Sequence, residues 1–479
     1  SAGGAGGAVV DSAALDAFAQ SVTGSEGVLA TTARTLLDAL GLTEKATVPA
    51  DADDEASRTR AAMAALDAEL GAGWVKSVTP AFAPERAVLI DDRWATARED
   101  VARLGSGETD LDASRRLLAP ERFVGLGQAV ADHATWWAKQ AKASDLADGA
   151  ERAAVLTEIA QAAPKTPQAG DATVRWSEDV AVVTGVAPGS IAAAVVGELL
   201  AGGATVVATS SRLTHERLEF ATTLYREHAA AGAKLWMVPA NLSSYRDVDA
   251  LAEWIGNDQV VTSGGSTKVV KEALVPTLLF PFAAPRVSGT LADAGPTAES
   301  QTRLLLWSVE RTIAALSAIG TDTHVDHRLH VVLPGSPNRG TFGGDGAYGE
   351  VKSALDAIVN RWSSERAWAQ RVTLAHPRIG WVKGTGLMGG NDPLVAAVEA
   401  AGVRTWTTEE IASELTGLCT TEVRTRAAQA PVNADLTGGL GDDIDLVALR
   451  ENAAAQAAAP TEETEAPAVI KALPTPVMP

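Results

Sequence analysis

The chain contains three tyrosines, Tyr225, Tyr245 and Tyr348, and only Tyr348 is followed four positions later by a lysine, Lys352. Within Gly346-Ala347-Tyr348-Gly349-Glu350-Val351-Lys352-Ser353, that spacing puts both side chains on one face of a helix. An ammonium beside a phenol favours the phenolate, so the pair predicts a tyrosine acidified toward working pH and able to pass a proton. Upstream, Ser336 follows an apolar run at 329–333 and can offer its hydroxyl to a substrate carbonyl. A Tyr-x-x-x-Lys on its own describes many packed tyrosines with solvated lysines. Its coupling to Ser336 and to an earlier glycine turn is what points to chemistry.

That turn is Thr184-Gly185-Val186-Ala187-Pro188-Gly189-Ser190-Ile191, between an apolar run at 180–184 and a helical pattern at 191–200. A dinucleotide pyrophosphate needs close backbone approach and free N–H donors at a helix N-terminus, and glycines permit both. After the next apolar run, Thr209-Ser210-Ser211-Arg212 carries no carboxylate to hold a ribose 2′-hydroxyl. Two hydroxyls and a guanidinium suit a 2′-phosphate instead, so the expected cofactor is NADPH.

These residues need a scaffold that gathers them. Apolar runs at 180–184, 204–209, 234–238, 278–282, 329–333 and 371–375 alternate with helical patterns. Such alternation predicts an α/β fold, a Rossmann-like doubly wound parallel sheet, over residues 172–425. Residues 1–165 read as a mainly helical structural module. Its helical patterns carry Leu15, Phe18 and Val22, then Val28, Leu29, Leu36, Leu37 and Leu40, then residues 51–70, 91 onward and the pair Trp136-Trp137. Asp91, Asp92 and Arg93 fit a charged helix start better than a site. Pro164, Pro167, Gly170 and Asp171 mark a linker, and residues 257–271 read as an inserted loop. Residues 430–479 are an acidic, Ala- and Pro-rich flexible linker. The chain starts Ser1-Ala2-Gly3-Gly4, with neither an initiating Met nor the pattern of a signal peptide, which suggests a piece of a longer polypeptide.

Composition narrows the function classes. The 479 residues hold 40 Lys and Arg against 60 Asp and Glu, a net charge of −20 that disfavours a nucleic-acid surface. No apolar run reaches the roughly 18 residues of a membrane span. The one cysteine, Cys419, excludes an intrachain disulfide or a multi-cysteine zinc site and fits a reducing cytoplasm. His324, His327 and His330 are spaced by three, but they run from a loop into a strand and need not converge, so no metal is expected. His376 reads as a packed histidine, Asp345 as a residue satisfying its own glycine-rich turn, and Cys419 as inert core.

Thr-Gly-x-x-x-Gly, Ser and Tyr-x-x-x-Lys, in this order, resemble the short-chain dehydrogenase/reductase family. Longer strings are more specific. Residues 334–348 (PGSPNRGTFGGDGAY), 379–388 (IGWVKGTGLM) and 281–285 (PFAAP) resemble the ketoreductase region of type I fatty acid synthases, in the actinobacterial and fungal rather than the animal form. The resemblance covers about residues 75–425. It implies NADPH-dependent reduction of 3-oxoacyl groups on acyl carrier protein to (R)-3-hydroxyacyl groups, within a homo-hexameric cytoplasmic multienzyme. By motif match, Tyr348 is the proton donor, Lys352 binds the nicotinamide ribose and Ser336 polarises the ketone. Thr184, Gly185, Gly189, Ser190, Ile191, Ser210, Ser211 and Arg212 line the phosphates. Asn241 and Leu242 fall at the adenine, Ala283 and Ala284 at the ribose, and Ile379, Gly380 and Thr385 at the nicotinamide. Two departures stand out: Gly189-Ser190-Ile191 replaces the common Gly-x-Gly, and Ser308 stands where many relatives carry a proton-relay asparagine. A reductase of free small carbonyls, or a non-catalytic scaffold, are the competing readings.

Overall fold

The computed structural model describes residues 31–32, 35, 55–71, 73–91, 93–111, 127–165, 174–230, 232–285, 287–321, 327–340, 342–385, 394–441, 444 and 448–449. Apart from 31–32 and 35, the helices expected within 11–41 lie outside them, as do most of the linker before 174, His324 and the tail beyond 449.

Among the described residues ten strands form: β1 (Val88–Ile90), β2 (Val180–Val183), β3 (Thr205–Ser210), β4 (Lys234–Pro239), β5 (Gln259–Ser263), β6 (Ser266–Lys271), β7 (Leu278–Phe280), β8 (Leu329–Val332), β9 (Val372–Ile379) and β10 (Val432–Leu436). Eight make one sheet in the order β1-β4-β3-β2-β7-β8-β9-β10. All its pairings are parallel except β1 on β4. Successive strand residues face opposite sides, so a run such as Val180-Ala181-Val182-Val183 feeds two cores at once. Val183 packs with Val195, Leu199, Tyr225 and Ile411 under the helices Ile191–Ala201, His215–His228 and Thr408–Gly417. Val182 packs with Leu251, Ile255, Ile313 and Leu355 under Tyr245–Gly256, Ser308–Ser317 and Tyr348–Ser364. The fold is therefore the doubly wound, Rossmann-like one. Strand order reverses between β2 and β7, and such a switch point opens a ligand crevice at the strands' carboxyl ends.

Two expectations change. The 257–271 stretch is not a loop but the antiparallel hairpin β5–β6, closed by Gly264 and Gly265 at φ 58° and 84°. Two adjacent positive-φ residues give a turn whose twist matches the strands it joins. The stretch expected as linker from 430 contributes β10, which extends the sheet beside β9 and buries Leu436 and Leu440. The segment before 165 is mainly helical, as expected, and it also contributes β1, which closes the opposite sheet edge against β4. The helices Arg93–Ser106, Gly127–Ala143 and Gly149–Ala162 share a core of Val101, Leu104, Val130 and Leu156. Arg226 ties that bundle to the sheet unit through Asp100 at 2.5 Å. Among the described residues no helix is long and apolar enough to cross a membrane.

Candidate active site

The glycine turn leaves β2 at the switch point. Gly185 has φ +76°, and a Cβ there would fall 2.5 Å from Ala283 Cα and 2.8 Å from its nitrogen. Thr184 Oγ1 accepts the Ala283 N–H at 3.0 Å, so the turn after β2 and the turn after β7 are locked together. A Cβ on Gly189 would meet the Gly384 carbonyl oxygen at 3.5 Å, which brings the 379–385 loop to the same rim. Ser190 caps the helix that Ile191 begins: its hydroxyl accepts from the N–H groups of Ala193 and Ala187 and donates to the Ala187 carbonyl. Its side chain is therefore spent on the turn, and the phosphate-facing groups it leaves are backbone donors at the helix N-terminus. Ala284 is exposed at the rim beside half-buried Ala283. Gly380 N–H donates to the Leu436 carbonyl, and buried Thr385 donates to the Val382 carbonyl at 3.4 Å. A pyrophosphate cradle of backbone amides that a side chain would fill fits a dinucleotide.

Ser336, Tyr348 and Lys352 meet at the end of β8. The Ser336 hydroxyl lies beside the Tyr348 phenol and favours its ionised form. Lys352 Nζ lies 5.5 Å from the Tyr348 ring centre and donates to the Pro334 carbonyl at 2.7 Å. Burial, with the nearby Asp345 carboxylate adding to it, pushes the Tyr348 phenol up to about 12 against the opposing influence of the Ser336 hydroxyl. The expected acidification by Lys352 is absent, because the ammonium is aimed at Pro334 and is itself drawn down by burial to about 8. Such a phenol stays protonated through the neutral range, which suits a proton donor rather than a base.

Residues that motif reading passed over brace this group. Asn338 donates its side-chain N–H to Asp345 Oδ2 at 2.7 Å and its backbone N–H to Ser336 Oγ at 3.1 Å. Asp345 thus does more than satisfy its own turn, since it joins the serine loop to the start of the tyrosine helix. Buried Gln301 accepts the Ala347 N–H at 2.7 Å, steadying the residue before Tyr348. Ser308 is buried, and its hydroxyl has no partner among the described residues. It follows a π-turn at Arg303–Trp307, an irregularity often found at functional sites.

The other expected positions lie one and two strands away. Ser211 and Arg212 are exposed beyond β3, while Ser210 Oγ donates to the Arg212 carbonyl at 3.0 Å. Leu242 is core, packed with Val238 and Val248, rather than open to a ligand. Asn241 lines a cavity beside Arg212, but its amide donates to the Ser77 and Thr79 carbonyls at 2.7 and 2.8 Å. Its side chain holds the protein's own backbone instead of facing an adenine. His330 and His376 each use both ring nitrogens within the fold: His330 bonds Thr373 and the Leu418 carbonyl, His376 the Leu333 carbonyl and Asp356. His327 bonds the Pro276 carbonyl, so the two described members of the histidine series point to different partners. Burial pushes the Cys419 thiol up to about 12, keeping it an unreactive core group.

No protein-family profile matches the chain. Among curated proteins, it is 38% identical over 267 residues to the fatty acid synthase subunit alpha of Candida parapsilosis and 38% over 272 residues to that of Saccharomyces cerevisiae. It is 37% identical over 294 residues to the fatty acid synthase alpha subunit of Dothistroma septosporum. These matches take in 55%, 56% and 61% of this chain but 14%, 14% and 16% of those subunits, so the chain spans about a seventh of their length. Among solved structures, the complex of Pseudomonas aeruginosa RhlG with NADP shares 20% identity at a TM-score of 0.44, covering 56% of this chain and 98% of that one. An NADPH-bound short-chain oxidoreductase from the same species, described as having an atypical catalytic centre, shares 20% identity at 0.44, covering 56% and 99%. Over more than half its length, the chain is similar to one segment of these fatty acid synthase alpha subunits.

Proposed function

We propose that this chain reduces 3-oxoacyl groups carried on acyl carrier protein to (R)-3-hydroxyacyl groups with NADPH, as the ketoreductase of a cytoplasmic, homo-hexameric fatty acid synthase. The observation that carries the reading is the juxtaposition of Ser336, Tyr348 and Lys352, whose Nζ lies 5.5 Å from the Tyr348 ring centre, at the carboxyl end of the same sheet as the glycine cradle. The similarity to fatty acid synthase alpha subunits supports the substrate class. NADPH, when bound, supplies the hydride that C3 of the substrate receives. Ser336 donates a hydrogen bond to the C3 oxygen, and Tyr348 gives that oxygen its proton. Lys352 holds the nicotinamide ribose. The orphan Ser308 hydroxyl anchors a water through which Tyr348 recovers its proton from solvent.

The deciding assay follows NADPH consumption with a 3-oxoacyl thioester, on carrier protein or on a small thiol, against free ketones. Faster turnover of the thioesters is expected. A preference for free ketones would assign a different carbonyl reductase, and NADPH binding without turnover of any ketone would leave a scaffold. Two further outcomes test the residue roles. Lys352 is charged below about 8 and neutral above it, so kcat/KM for reduction should hold steady below that value and fall above it. In Lys352→Arg, whose charge persists, the falling limb should disappear from the pH profile. Ser308→Ala should lower turnover several-fold with NADPH affinity unchanged; an unaltered rate removes Ser308 from the relay.

A further inference from the structure

A cavity of about 660 Å³ opens beyond the carboxyl ends of β3 and β4. One wall is the Ser211-Arg212-Leu213-Thr214 loop with Asn241; the other is the stretch from Lys76 to Arg86, far ahead of the parallel sheet in sequence. Its lining brings together Lys76, Arg86 and Arg212, and no carboxylate among the described residues. In a protein of net charge −20, three exposed cations facing one cavity without an ion-pair partner among the described residues repel one another until an anion joins them. Arg86 Nη2 donates to the Leu213 carbonyl at 3.1 Å, which docks its guanidinium next to Arg212 and leaves its other N–H groups for a ligand. Thr214 caps the helix His215–His228, so the positive end of that helix faces the same space.

The far wall is held in place rather than resting there by chance. The buried Asp247 carboxylate accepts three backbone N–H groups through Oδ2: Ala81 at 2.7 Å, Phe82 at 2.8 Å and Asn241 at 2.7 Å. Asn241 adds its two bonds to Ser77 and Thr79. Beyond Arg86, β1 pairs with β4, so the segment is fastened on both sides of its cations.

We propose that Lys76 and Arg86 bind the 2′-phosphate of the dinucleotide jointly with Arg212 and thereby set the preference for NADPH over NADH. This rests on the reductase reading above, and it assigns cofactor choice partly to a segment outside the nucleotide-binding sheet. Both side chains are exposed, so replacing them leaves the core intact.

The test is binding of NADPH, NADH and 2′,5′-ADP to the full chain and to Lys76→Gln/Arg86→Gln, read by nicotinamide fluorescence and competition. Losing two charge-assisted contacts should weaken NADPH and 2′,5′-ADP at least about tenfold. NADH affinity should stay within about twofold, since it lacks the group the cations hold. Arg86→Lys should fall between wild type and the double variant. An unchanged NADPH-to-NADH ratio, in a wild type that does consume NADPH, overturns this inference alone. A wild type that binds NADPH but reduces no ketone overturns the reductase reading alone, while the ratio still judges the cations. A wild type that binds neither dinucleotide overturns both.

Discussion

Tyr348→Phe should cut turnover of a 3-oxoacyl thioester by roughly 10²–10⁴-fold, the range a positioned proton donor contributes. NADPH affinity should stay within a few-fold, because the phenyl ring still fills its place at the start of the helix Tyr348–Ser364. The split between rate and affinity is what identifies the hydroxyl as the acid. Ser336 lies beside the phenol, so Ser336→Ala provides the comparison. That variant should lose less, as it keeps the proton source and gives up only the polarising donor. Equal rates for wild type and Tyr348→Phe, measured by NADPH consumption, would place the proton donor elsewhere.

Gly185→Ala should weaken NADPH binding by about tenfold or more and lower the melting temperature of the chain. A non-glycine residue at φ +76° costs about 1–2 kcal/mol, and each 1.4 kcal/mol is tenfold in affinity. The added carbon also meets backbone, Ala283 Cα at 2.5 Å, so the turns after β2 and β7 must separate and the cradle widens. Gly189→Ala is the internal control. Its φ of +67° carries the same conformational cost, but its nearest neighbour is the Gly384 oxygen at 3.5 Å, an ordinary contact. It should therefore be milder in both binding and melting. If the two variants behave alike, the close approach of the two turns is not what the cradle depends on.

Six of the eight main-sheet strands were legible as apolar runs because they are buried on both faces, which leaves no polar alternation to blur them. The two edges were not. β1 is three half-buried residues, and β10 reads Val-Asn-Ala-Asp-Leu, where half-exposure lets polar residues in. The hairpin at 259–271 did carry a signal, since paired valines flank Ser263-Gly264-Gly265-Ser266, and a two-glycine turn between β-branched residues marks a hairpin. At the site, Tyr348 and Lys352 were readable from spacing along one helix. Asp247 was not, because its meaning lies in partners 165 and 166 positions away, at Phe82 and Ala81. Asn241 was misplaced for the same reason: only the fold shows that Ser77 and Thr79 occupy its amide. The phenol's shift upward also depended on an enclosure that local spacing does not describe.

The antiparallel seam between β1 and β4 has a bearing on how this chain is cut and recombined. A graft cut at the proline-bearing junction near 165 would carry the proton donor and the glycine cradle into a new host. It would leave behind an edge strand and Lys76 and Arg86, the two cations beside Arg212, so on the reading proposed above the graft would take its chemistry from one parent and its choice of electron donor from the other.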